Sequence, residues 1–206
     1  MITLKTHLKK GSKKLINAWA FYDWANSVYS LVITSAIFPI YYGALFSEIS
    51  TISFFGYEIK NTAVISFLTA FAFIIVAFMS PLLSGIADYI GNKKKFMKFF
   101  VYLGSISCLG LYWFDLENIY LGLTFYFFAL IGFWSSLVFY NSYLPDIAYP
   151  EQQDRASAVG FSYGYIGSIF LLLFNLAMVL QPDLFGIQGN ENEAPLKAMR
   201  FSFVFG

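Results

Sequence analysis

Charge is the scarcest ingredient of this sequence. Only 12% of its 206 residues are charged, about half the share of a soluble domain. With 58% hydrophobic residues and a mean hydropathy of +0.63, an ordinary soluble globular protein is excluded. So is disorder, which needs low hydrophobicity and high charge. Cysteine and histidine are almost missing: Cys108 stands alone in an apolar run and His7 alone in a basic N-terminal tail. One thiol makes no intrachain disulfide, and no His-centred triad or Cys/His metal site can be built from this chain. No metal or cofactor is therefore expected. A net charge of +1 gives no general attraction to polyanions, so nucleic acid is not an expected partner. No Pro- or Gly-rich linker divides the chain. What is abundant is aromatic: Phe 25, Tyr 15 and Trp 4, or 21%, a load that suits aromatic belts at a membrane interface.

A spanning helix needs about 20 mostly apolar residues. Five complete spans are expected: Ile16 to Phe46, Thr62 to Leu83, Phe96 to Phe114, Ile119 to Leu144 and Ala156 to Leu180. A sixth is expected to begin at about Arg200 and to be cut at Gly206, so the sequence reads as a fragment of a longer protein. A signal peptide would have a shorter apolar core than the first span, which Asp23 also interrupts. Basic residues alternate in side. Lys5, Lys9, Lys10, Lys13, Lys14, Lys93, Lys94, Lys95, Lys98 and Arg155 fall at one end, against Lys60, Lys197 and Arg200 at the other. Positive charge marks the cytoplasmic side, which puts the N-terminus there. As plain topology anchors these lysines need no further role.

Ionisable residues inside spans are costly and point to function. Asp23 is the one that sits well inside a span, roughly 13 Å past Lys14 along the axis. Asn26, Ser27, Ser30 and Thr34 follow it at helical offsets, within an arc of roughly 100° on an ideal helix. Tyr41 returns to that direction if Pro39 does not kink the helix. Such a stripe must face protein or water. It fits a substrate or ion pathway, and equally a packing seam with Asp23 paired to a neighbour or capped by Lys14. In the fifth span Gly160, Gly164 and Gly167 share a side with Ser157, Ser168 and Asn175. This is a surface for close helix packing, compatible with a sliding interface. The fourth span sets Gly132, Ser136, Tyr140 and Tyr143 on one arc, where Tyr140 is a candidate pathway residue. Gly104, Ser107 and Cys108 of the third read as packing.

Between the second and third spans stands SGIADYIGNKKKF, Ser84 to Phe96. Asp88 there can accept from free N–H groups at a helix start, Gly91 permits a reversal, and Lys93, Lys94 and Lys95 suit anionic headgroups. This turn resembles the signature loop of the major facilitator superfamily through Ile86, Ala87, Asp88, Gly91 and Lys93. It departs from that loop at Ser84, Tyr89 and Asn92. AWAFYDWANSVYSLVITSAIFPIYY (Ala18 to Tyr42), YNSYLPDIA (Tyr140 to Ala148) and RASAVGFSYGYIGS (Arg155 to Ser168) are similar to the branch related to autophagy-linked vacuolar effluxers.

The resemblance implies an all-α polytopic membrane bundle. This chain would be the N-terminal six-helix half of a major-facilitator-type transporter, with five complete spans plus the start of a sixth. It also implies alternating access, with helices one and four lining the cavity. Helices two and five would meet the missing C-terminal half, the glycine face with them, and the turn at Asp88, Gly91 and Lys93 would latch the halves. The expected function is secondary transport of a small polar solute, amino acids among the candidates, in an inner or plasma membrane. A coupled proton at Asp23 would be a further partner. Two alternatives stand beside it. One is an intramembrane lipid-modifying enzyme, for which Asp146, Glu151 and Asp154 are the available carboxylates although a solvated loop explains them equally. The other is a non-catalytic assembly subunit.

Overall fold

The structure, a computed structural model, describes residues 9–54 and 56–205, apart from the side chains of Phe54, Ala87, Asp88 and Ile90. Lys5 and His7 lie outside the described residues. Ser12 opens the first helix by accepting from the Leu15 N–H. Helix α1 (Lys13–Val28) runs into a wider π-helical stretch, Tyr29–Ile37, and continues as α2 (Phe38–Leu45). Pro39 has no N–H and its ring would meet the carbonyl one turn back. The chain absorbs it by widening just before it: the Phe38 N–H bonds to Ile33 O, and Ser35 Oγ donates to Ser30 O at 2.8 Å. The first span is thus one continuous helical stretch, 13–45, with an altered register.

A small antiparallel hairpin, β1 (Thr51–Phe54) and β2 (Tyr57–Lys60), follows with Thr51 opposite Lys60. Gly56, at φ +85°, supplies its left-handed turn position. Helix α3 (Asn61–Ile90) runs on past Leu83, so the expected loop at Ser84 to Phe96 is mostly helix. Only Gly91, at φ +69°, and Asn92 separate it from α4 (Lys93–Gly110). Then come α5 (Ile119–Ser142), the short α6 (Leu144–Ile147), α7 (Pro150–Leu180) and α8 (Glu193–Phe205). Helix α8 starts ahead of the expected Arg200. Asn190 Oδ1 accepts from the Asn192 and Glu193 N–H groups at 3.1 and 2.9 Å, which nucleates the helix earlier. Five helical stretches, 13–45, 61–86, 93–113, 119–147 and 150–180, are long and apolar enough to cross a membrane. The fold is an all-α polytopic bundle.

Helix α5 is the most enclosed span and α3 the most exposed. Helices α3 and α4 both lean on α5, while α1 pairs with α7. Lipid offers no hydrophobic drive between helices, so close packing and hydrogen bonds hold them together. At the hairpin end the packing is aromatic. Phe38 stacks on Tyr126 at 4.0 Å, Tyr41 meets Phe203 edge-on at 5.4 Å, and the Tyr41 hydroxyl donates to Phe114 O. Between α4 and α5 two glycines bring backbones together: a Cβ on Gly132 would lie 2.4 Å from the Gly104 nitrogen. No side chain fits there, which explains why Gly104, Ser107 and Cys108 are buried along this contact.

Candidate functional site

Helix α1 is where polarity enters the bundle, and it has two polar sides. On the first, Asp23 and Ser27 turn toward α7. Asp23 is 5% exposed and accepts from Ser27 Oγ at 3.2 Å. Among the described residues no Lys, Arg or His nitrogen lies within 4.0 Å of its carboxylate, so Lys14 does not cap it. A buried carboxylate without a cation is costly unless a proton or a ligand charge meets it.

The glycine face of α7 lies directly against this carboxylate. The point where a Cβ on Gly160 would sit is 3.3 Å from the Tyr140 hydroxyl, 3.5 Å from the Trp19 ring and 3.6 Å from Asp23 Oδ2. A Cβ on Gly164 would fall 2.4 Å from Ser27 Oγ, and one on Gly167 2.9 Å from Trp24 O. The three glycines therefore pack on α1. The expectation that their face meets another half is corrected here: the outward side of α7 carries Phe161, Tyr165, Ile169 and Leu173 instead. Tyr140 is held by Trp19, which stacks on it at 4.4 Å and donates from Nε1 to its carbonyl at 2.9 Å. Tyr22 leans on the same ring at 5.0 Å. The Tyr140 hydroxyl itself is buried and has no hydrogen-bond partner. Trp19 and Tyr22 were not among the expected site residues, although Trp19 precedes Asp23 by one helical turn, a spacing that puts both on one face.

Further along this seam Ser27, Ser30 and Ser168 line a cavity of about 200 Å³ with Leu31, Phe161 and Tyr165. Among the described residues the buried Ser168 hydroxyl has no hydrogen-bond partner. Asn26 belongs to the second side. It lines a separate cavity of about 190 Å³ between α1, α4 and α5, together with Tyr22, Tyr29, Ser105, Cys108 and Ser136. The single stripe expected from an ideal helix is thus divided: Asp23, Ser27 and Ser30 face α7, Asn26 faces α4 and α5, and the π-helical register carries Thr34 away from both cavity linings. Each cavity is smaller than the usual 300–1,000 Å³ of a drug-sized pocket, and suits water or a very small polar group.

At the lysine-rich end, Lys93 Nζ lies 2.8 Å from Asp146 Oδ2 and donates to Ser142 O at 3.3 Å. Asp146 sits on α6, whereas Glu151 and Asp154 stand exposed on the first turns of α7. Among the described residues no group of three or more His, Cys, Asp and Glu could hold a metal. The connection from α5 to α7 is tied from the other side too: Gly11 N donates to Ile147 O at 2.8 Å, and Lys10 Nζ to Pro145 O at 2.6 Å. The Asp88 side chain lies outside the described residues.

Five helices long and apolar enough to cross a membrane, with a buried carboxylate in the first, define a polytopic membrane protein. The chain belongs to the family described as vacuole effluxer Atg22 like, whose profile matches residues 11–205. It is 39% identical over 173 residues to an uncharacterized MFS-type transporter, YxiO, of Bacillus subtilis, covering 84% of this chain and 39% of that protein. It is 29% identical over 175 residues to an uncharacterized protein of Aquifex aeolicus, covering 84% of this chain and 41% of that one. The chain thus spans about two fifths of the length of the curated relatives it matches. No solved structure matches it.

Proposed function

We propose that this chain is part of a secondary transporter that moves a small polar solute across a membrane by alternating access. The observation that carries the reading is Asp23: a buried carboxylate with one hydroxyl partner and no cation among the described residues. Coupled to solute movement, such a group exchanges a proton as its surroundings open and close. The tight α1–α7 seam leaves no room beside Asp23 for anything larger, so the proton belongs at Asp23 and Tyr140. The solute path runs along α1, past Ser27 and Ser30 on its α7 side and Asn26 on its α4–α5 side, with Thr34 beyond both cavities. Amino acids are the first solutes to test, since their ammonium and carboxylate groups match hydroxyl and amide partners.

Family membership and a relative named as an MFS-type transporter support this class. In this reading the remainder of the transporter, a C-terminal half, closes the solute cavity from the other side. The turn at Asp88, Gly91 and Lys93 latches against it in one of the two states. The lysine-rich end faces the cytoplasm, and the membrane is the inner or plasma membrane.

Solute flux in proteoliposomes of the full-length protein tests the proposal. Asp23→Asn should abolish or uncouple transport while the protein stays folded. Wild-type flux in that variant at every pH would remove Asp23 from the mechanism.

A further inference from the structure

Helices α3 and α4 diverge from their shared turn, because each packs on α5 and they touch one another little. The divergence opens a groove of about 590 Å³ on the outer surface, walled by Met79, Leu83, Phe96, Phe99 and Phe100, with Asn92 and Lys95 at its rim. Phe99 is 61% exposed and Leu82, beside the groove, 67% exposed. Next to it, sharing Asn92, lies a polar depression that includes Lys94. Lys94, Lys95 and Lys98 are exposed. Among the described residues none of the three forms an ion pair, in contrast to Lys93 with Asp146.

We infer that this groove is a binding site for one anionic phospholipid of the leaflet on the lysine-rich side. The order of the lining matches an amphiphile. Lys95 stands at the rim, and Phe99 and Phe100 lie about 6–8 Å deeper along α4 by helical rise. The acyl chain fills the aromatic floor, and the phosphate sits at the rim against the Lys95 ammonium and the Asn92 amide. The Lys95 ammonium, which forms no ion pair among the described residues, then selects the headgroup charge. Ordinary topology anchoring needs the lysines but not the groove, and that difference is measurable.

The test is native mass spectrometry of the full-length protein taken from vesicles of equimolar phosphatidylglycerol and phosphatidylcholine. One phosphatidylglycerol per chain should be retained in preference to phosphatidylcholine. Lys95→Gln should lower that retention about fivefold. Leu83→Trp, which fills the groove and leaves every charge in place, should lower it as well and keeps the test decisive if the Lys95 variant does not fold. Lys13→Gln with Lys14→Gln removes charge at the same end away from the groove and should change nothing. Equal retention of the two lipids overturns the inference. So does retention that survives Leu83→Trp, or an equal loss in the Lys13 and Lys14 variant.

Discussion

The α4–α5 and α1–α7 contacts are both made close by glycine, yet they are built from different atoms. At α4–α5 a side chain on Gly132 would meet backbone, the Gly104 nitrogen at 2.4 Å and its Cα at 2.6 Å. At α1–α7 a side chain on Gly164 would first meet the Ser27 hydroxyl. The first contact is fixed by main chain and can only be forced apart. The second meets backbone first only at Gly167, against Trp24 O, and at Gly160 and Gly164 is lined first by hydroxyls, a ring and a carboxylate, groups with more freedom to adjust. Stability and chemistry are thereby separated within one small bundle, with rigid packing on one side of the molecule and adjustable polarity on the other.

That contrast breaks most visibly at Gly132. Gly132→Ala should destabilise the bundle by about 3 kcal/mol, the upper end for overpacking, read as a fall in thermal midpoint in detergent. A loss no greater than that of Gly164→Ala would show that the two contacts are equally compliant.

Transport should divide the same way. Asp23→Asn is expected to cut solute flux by about tenfold or more. Ser135→Ala, which removes a buried unpartnered hydroxyl from α5, should leave flux unchanged. Equal losses in proteoliposomes would erase the division.

Smaller effects sharpen it. Gly164→Ala should cost less than Gly132→Ala, about 1–2 kcal/mol, because the Ser27 hydroxyl can turn aside and only its Cβ, 2.9 Å from the new methyl, must shift, and chemical denaturation of the two glycine variants side by side measures the difference. Tyr140→Phe deletes a buried hydroxyl that has no partner, so stability should hold or rise by up to about 1 kcal/mol while the pH profile of flux shifts. An unchanged profile would release Tyr140 from the site. The smallest change is expected at Lys93→Gln. Its partner Asp146 is about half exposed, and such pairs contribute less than about 1 kcal/mol. A larger shift in thermal midpoint would mark the tie between the turn and α6 as structural.

How far the sequence could be read follows from the range of the forces involved. Asp23 stood out because a carboxylate in an apolar run is anomalous on its own helix. Trp19 and Tyr22 did not, because aromatic residues near a membrane interface are ordinary until Tyr140 is placed beside them. The glycines of α7 announced close packing without naming the partner. The start of α8 was missed because the Asn190 side chain, and not hydrophobic patterning, sets it.

By itself the sequence determined the class of the protein, an all-α polytopic bundle, through the number and length of its apolar stretches. These are properties of local composition, and a bilayer responds to composition segment by segment. The tertiary structure decided which neighbour each polar group faces. It split the helix-one stripe between two cavities, changed its register where Pro39 is absorbed, and turned the glycine face inward onto Asp23. Those outcomes depend on contacts between residues far apart in the chain, where close packing and not periodicity selects the partner.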